Sequence, residues 1–276
     1  MKILITGGSG FIGRNLKRLL TGFGYEVFAP THQELDLTNI MSVFPCIRTV
    51  APDVIIHTAL TGDNRTMTYD QFKENIRMFN NIKDAVHETN TLVLNMGSGA
   101  EFDRQCPIND TKEEMLWKRW PIDLYGLAKN IIARRTLEEL TNGCVFRLFG
   151  CFGEDEQEHR FIKKSILRLK HGLPIQIDAV TTFDFFYIND VASAIDHFLK
   201  FGGNDHMNLV YPEKADILQI SAIIRKEMNV FIPNEFPESE SAYAPTYTGD
   251  GLLLKQSGTP LLGLEGGLRR MVKNLK

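Results

Sequence analysis

Residues 3–14 read Ile3-Leu4-Ile5-Thr6-Gly7-Gly8-Ser9-Gly10-Phe11-Ile12-Gly13-Arg14, and Asn15-Leu16-Lys17-Arg18-Leu19-Leu20 follows without a break. An apolar run too short for a helix meets glycines at 7, 10 and 13, after which Phe11, Leu16, Leu19 and Leu20 recur at helical spacing. The stretch is a strand, a tight turn and a helix. Glycines let a ligand approach the main chain, and the first N–H groups of the helix, with its positive dipole end, face the same turn. That arrangement suits a dinucleotide pyrophosphate resting on Gly7, Gly10, Phe11, Ile12 and Gly13. No Gly-Lys-Ser/Thr follows, which argues against a P-loop.

Outward from this turn, residues 26–29 read as a second strand ending at Pro30-Thr31-His32, and the loop holding Asp36 leads to a helix at 39–50. Residues 53–57 form a third strand, 69–88 a long helix, and 91–95 a fourth strand that stops at Met96-Gly97-Ser98-Gly99. A helix at 124–140 and a strand at 144–148 complete a regular β-α alternation with continuously apolar strands. Such strands are buried on both faces, so the expected fold is α/β, a Rossmann-like doubly wound parallel sheet. Beyond residue 150 the alternation loosens into helices at 158–171, 191–201 and 217–228, a strand at 207–210 and a final helix at 264–275. Residues 231–250, with Pro233, Pro237 and Pro245, read as a long surface loop. The expected organisation is a nucleotide-binding domain over 1–155 with later returns near 182–210, and a mainly substrate-binding region over 156–276.

The 276 residues are 43% hydrophobic and 24% charged, with a net charge of −3, a balance that gives no electrostatic footprint for nucleic acid. Cys46, Cys106, Cys144 and Cys151 contain no Cys-x-x-Cys pair, so reduced core thiols are expected and no metal site. The chain opens directly on its first strand, and no apolar run approaches the ~18 residues of a membrane helix. A cytoplasmic protein with no membrane partner is expected.

Tyr125-Gly126-Leu127-Ala128-Lys129 sets a phenol and an ammonium one helical turn apart on one face. A surface tyrosine beside a surface lysine gives the same letters. What raises the pair above that reading is Ser98, at the carboxyl end of the fourth strand, where a doubly wound sheet places its ligands. A phenol of ordinary pKa near ~10 must fall by roughly 2 to 3 units to exchange protons at neutral pH, worth about 3 to 4 kcal/mol, and a nearby ammonium together with a cationic nicotinamide can supply that.

Taken in order, Gly-x-x-Gly-x-x-Gly at 7–13, His57-Thr58-Ala59, Asn75, Ser98-Gly99-Ala100-Glu101-Phe102, Tyr125 with Lys129, Arg147-Leu148-Phe149-Gly150 and Asp184-Phe185-Phe186-Tyr187-Ile188-Asn189-Asp190-Val191 resemble the extended short-chain dehydrogenase/reductases, the group of nucleotide-sugar epimerases, dehydratases and reductases. The resemblance covers the whole chain. It implies that Tyr125 is the acid/base, that Lys129 binds the nicotinamide ribose and lowers the tyrosine's pKa, and that Ser98 polarises the substrate oxygen. It also implies His57, Thr58 and Ala59 along the cofactor cleft; Ser98, Gly99, Ala100, Tyr125, His159 and Phe183 toward the substrate; and a homodimer packed through the helix bearing Tyr125. His57 reads equally as a packed strand-end histidine, Asn75 as a helix brace, and Arg147 better as a structural ion-pair partner.

Departures from the family narrow the reaction. Dehydratases of the group carry Asp-Glu directly after the hydroxyl residue, and here those places are Gly99 and Ala100, so elimination lacks its acid. Many members grip the nucleotide diphosphate with an arginine where this chain has Phe183. Members that also epimerise the carbons flanking the ketone use a cysteine two residues after the serine, where Ala100 stands, and a histidine in the segment of His159, whose register against Arg160 is open. At the end of the second strand, roughly 20 residues past the glycines, a carboxylate would select NAD(H). Here Thr31 and His32 stand in that place, Arg14 follows Gly13 or is simply solvated, and Asp36 is suited to the adenine, so NADP(H) is expected to be preferred, with NAD(H) possible. The expectation is an NADP(H)-dependent reductase of a 4-keto-deoxysugar, nucleotide-activated or free. The alternatives are a 4-epimerase that retains its cofactor and a catalytically idle dinucleotide-binding sensor.

Overall fold

The computed structural model describes residues 1–236 and 242–275. In chain order it contains β1 (Lys2–Thr6), α1 (Phe11–Gly22), β2 (Glu26–Phe28), α2 (Ile40–Val50), β3 (Val54–His57), α3 (Tyr69–Val86), β4 (Leu92–Ser98), β5 (Ile108–Thr111), α4 (Leu124–Glu139), β6 (Gly143–Leu148) and β7 (Gly150–Phe152). There follow α5 (Phe161–Lys170), β8 (Ala179–Val180), β9 (Phe185–Tyr187), α6 (Ile188–Phe201), β10 (His206–Leu209), α7 (Ile217–Met228), β11 (Ala242–Tyr243), β12 (Tyr247–Gly249), α8 (Leu252–Ser257) and α9 (Gly263–Leu275).

The main sheet has the order β10-β6-β4-β3-β1-β2, and every pairing in it is parallel. Alternate residues of its central strands enter different cores, which is why these strands read as unbroken apolar runs. Ile3, Ile5, Val54, Ile56, Leu94 and Met96 pack on one face with α6 residues such as Val191 and Ile195. Leu4, Ile55 and Val93 pack on the other with Val43 and Ile47 of α2 and Met78 and Ile82 of α3. The strand order reverses at β1, which pairs with β2 on one side and β3 on the other, so a crevice opens beyond the carboxyl ends of β1 and β3. This is the expected Rossmann-like fold.

The second half departs from the sequence expectation in a consistent way. Three parallel two-stranded pairs, β7–β9, β8–β11 and β12–β5, lie outside the main sheet. Strands of two to four residues carry too few alternations for periodicity to register. The stretch 231–250, expected as a surface loop, is instead stitched down by β11, β12 and a bridge from Glu235 to Gln176, while Pro237 lies outside the described residues. β4 also runs to Ser98, three residues beyond its expected end.

Candidate active site

The turn after β1 is tight because its glycines leave no room for side chains. Gly7 has φ +72°, and a Cβ on Gly13 would lie 2.3 Å from the Gly7 carbonyl oxygen. Gly10 begins α1 with no side-chain cap, and no acidic residue stands in the first turn, so its N–H groups and dipole face an uncompensated position suited to an anion. A cavity of about 600 Å³ opens there, walled by the turn, by Thr6, Thr58 and Ala59, and by His32 and Asp36 from beyond β2. The residues present fit a dinucleotide.

Not every residue expected at this cleft presents a free group to it. The His57 ring is buried, its Nδ1 2.8 Å from the Thr6 hydroxyl, and tilted against Phe79. Burial, helped by the charge of Lys129, lowers its pKa to about 3, so it is a neutral packed histidine. The N–H and hydroxyl of Thr31 both donate to Glu34 Oε2, at 2.8 and 3.0 Å. Arg14 is exposed and donates to the carbonyls of Ser9 and Asp155. Asp36 accepts from the hydroxyl and N–H of Thr38, which hold its carboxyl below the usual range.

Beyond β4 the expected chemistry comes together in part. Ser98 is the last residue of β4, and its hydroxyl lies close enough to the Tyr125 phenol to favour its ionised form. Tyr125 sits in the first turn of α4, whose N-cap Asp123 accepts the Gly126 N–H at 2.8 Å and pairs with Arg104 at 2.6 Å. The Arg104 guanidinium stands 5.6 Å from the centre of the Tyr125 ring. Lys129 is buried and donates to the Met96 carbonyl at 2.8 Å, not toward the phenol. Burial therefore raises the Tyr125 pKa, against the bond from Ser98 and the charges of Arg104 and Arg160, and the expected lowering is absent from the protein alone. The phenol is held protonated.

Tyr247, on β12, was not foreseen. Its phenol also reaches the Ser98 hydroxyl, and its ring stacks on Phe183 at 5.0 Å and meets Phe149 edge-on at 5.2 Å. Phe183, half-buried and also 4.8 Å from Phe185, thus reaches the site through Tyr247. No sequence signal marks Tyr247, because its position depends on β12 pairing with β5 far earlier in the chain. Gly99 and Ala100 are buried in a short 3₁₀ turn behind Ser98 and offer no side chain to a ligand. Of the two residues at the start of α5, His159 is exposed, whereas Arg160 is the N-cap of α5 and its charge acts on Tyr125.

Arg160 is held by Glu156 at 3.4 Å, and Glu156 also accepts the Lys163 N–H at 3.1 Å. Burial pushes the Glu156 carboxyl up to about 7. An acid whose folded pKa lies above its unfolded value loses stability as pH rises from the unfolded pKa to the folded one. Glu156→Gln, which keeps an acceptor for Lys163, should match wild type at about pH 4 and exceed it by about 3 kcal/mol at about pH 8. Denaturant melts across that range check this, and parallel curves would refute it.

The β1 turn and the Ser98–Tyr125 end of the sheet define a dinucleotide-dependent α/β enzyme. The profile of the NAD dependent epimerase/dehydratase family matches residues 3–209, and the chain belongs to that family of NAD(P)-dependent oxidoreductases and epimerases. It is 48% identical over 58 residues to a GDP-L-fucose synthase of Azorhizobium caulinodans, a match covering 21% of this chain and 19% of that protein. It is 27% identical over 198 residues to a dTDP-4-dehydrorhamnose reductase of Aggregatibacter actinomycetemcomitans, covering 70% of this chain and 66% of that one. Among solved structures, a GDP-mannoheptose C4 reductase from Campylobacter jejuni with NADP bound superposes with a TM-score of 0.82 at 17% identity, covering 99% of this chain and 98% of that one.

Proposed function

We propose that the protein is an NADP(H)-dependent reductase of the 4-keto group of a deoxysugar carried on a nucleotide, working in the cytoplasm. The observation that carries this reading is the Ser98–Tyr125 pair at the end of β4, with the phenol kept protonated by burial. When bound, the nicotinamide supplies the hydride. Ser98 donates to the ketone oxygen and Tyr125 gives it the proton, so the phenol's acid form is the one required. Lys129, one turn on, is the cation that would hold the nicotinamide ribose. Gly99 and Ala100 leave elimination without an acid, and Glu101, the nearest carboxylate in sequence, is buried against Arg147. The region beyond residue 156 supplies the substrate wall through Arg160, Phe183 and Tyr247. A homodimer through α4 is supported by Leu127 and Ile131, one turn apart and partly exposed on that helix.

Preference for NADP(H) is supported by the surroundings of Thr31. A 2′-phosphate that displaces the Glu34 carboxylate gains the Thr31 N–H and hydroxyl beside His32, while no carboxylate occupies Thr31's own position. Two measurements test the proposal. Calorimetry should show NADPH binding more tightly than NADH, and the reverse order rejects the preference. With a 4-keto nucleotide sugar, one NADPH should be consumed per sugar reduced; product formed without net oxidation of NADPH would mean an epimerase. In deuterated water the carbons flanking the ketone should take up no more deuterium than in an enzyme-free control, since Ala100 moves no proton and His159 is exposed.

A further inference from the structure

Behind Ser98, Glu101 and Arg147 form an ion pair with no exposed surface, Arg147 Nε 2.5 Å from Glu101 Oε2. The other carboxylate oxygen accepts the Ser98 N–H at 2.8 Å, and the Ser98 hydroxyl accepts the Ala100 N–H at 3.2 Å. Asn130 of α4 donates to the Glu101 carbonyl at 2.8 Å. Gly97 makes the pair possible, because a Cβ there would lie 2.5 Å from Glu101 Oε1 and 3.0 Å from Arg147 Cγ.

The pair is a poor device for stability alone. Two charges withdrawn from water need nearly all their hydrogen bonds made, yet both Nη atoms of Arg147 lack a partner among the described residues. Apolar side chains of similar volume can serve a fold as well or better. What such side chains would not supply is the acceptor on Ser98, whose N–H is bonded to Glu101 at the point where β4 ends.

We propose that Glu101, held by Arg147, is a positioning residue that fixes the Ser98 main chain and so aims the Ser98 hydroxyl at the Tyr125 phenol. This rests on the roles given above to Ser98 and Tyr125, and it adds a carboxylate that touches neither substrate nor cofactor.

The test compares two double variants, E101L/R147M and E101Q/R147M. Both remove the two charges, and only the second retains an acceptor for the Ser98 N–H. The Glu101 charge, which raises the Tyr125 pKa, is absent from both, and the other groups acting on Tyr125 from neighbouring elements, Arg104, Arg160 and Tyr247, are the same in both. With fluorotyrosine incorporated and the Tyr125 signal assigned by Tyr125→Phe, fluorine NMR follows its ionisation without any substrate. The E101L/R147M phenol should ionise about threefold less readily than that of E101Q/R147M, because a Ser98 hydroxyl no longer held in place ceases to favour the phenolate. With a keto-sugar that wild type reduces, kcat should fall by about 10²-fold in E101L/R147M, with KM for the cofactor unchanged, and recover in E101Q/R147M. Should the doubles not fold, Glu101→Asp keeps the charge but withdraws the oxygen from Ser98, and the same shift from wild type is expected. Equal ionisation of Tyr125 whether or not the acceptor is present overturns the proposal. Failure of wild type to reduce any keto-sugar would instead count against the proposed function, since the NMR comparison stands without it.

Discussion

Tyr125→Phe should lower turnover of a keto-sugar substrate by about 10² to 10⁴-fold while leaving dinucleotide binding nearly unchanged, the loss typical of removing a general acid. The hydroxyl removed is the proton source nearest Ser98 on α4, and the substitution leaves the ring, its neighbour Arg104 and the β1 turn in place. Tyr247 is the group that could soften the effect, since its phenol also reaches Ser98. It is fixed differently, stacked on Phe183 and carried by β12, and burial raises its pKa well above that of an ordinary phenol. Steady-state rates and calorimetry on the same preparation check the prediction, and turnover within a few-fold of wild type would show that Tyr125 is not the acid.

Gly13→Ala should weaken dinucleotide binding by at least about 10²-fold and destabilise the fold by about 1 to 3 kcal/mol. The added methyl would sit 2.3 Å from the Gly7 carbonyl oxygen and 2.9 Å from the Thr58 hydroxyl, so the first of these clashes is with main chain and no rotamer relieves it. Relief comes only by lifting the start of α1 off the turn, which withdraws the N–H groups from the position an anion would take. Gly22, at the far end of the same helix, is the control: a Cβ there meets nothing within 4 Å, and Gly22→Ala should change neither quantity appreciably. Equal cofactor affinity in Gly13→Ala and wild type would place the pyrophosphate elsewhere.

The half of the molecule that was legible in the sequence is the half built from long apolar strands. β1, β3 and β4 sit between two cores, so each is a continuous hydrophobic run, and Gly7 to Gly13 mark the turn where the first of them meets its helix. Ser98 and Tyr125 could be placed because both stand at element ends that the alternation itself located. Tyr247 could not, since its strand of three residues pairs with residues 108–111 and nothing local announces that pairing. His159 and Arg160 differ by one position at the start of α5, a boundary that periodicity leaves uncertain by more than that. The Tyr125 pKa in the protein without cofactor was hidden from the sequence for another reason. Spacing puts Lys129 on the right face, but only the folded chain shows its ammonium bonded to the Met96 carbonyl.

The pairing of β12 with β5 divides the labour of recognition within one chain. The wall of the dinucleotide cleft runs from Thr6 to Met78, whereas the aromatic wall facing Ser98 draws on Phe149, Phe183 and Tyr247. In the proposed function the carrier of reducing equivalents and its acceptor would thus be read by different stretches of polypeptide. On that reading, substitution beyond residue 145 would retune the acceptor while the β1 turn, Ser98, Tyr125 and Lys129 stay as they are.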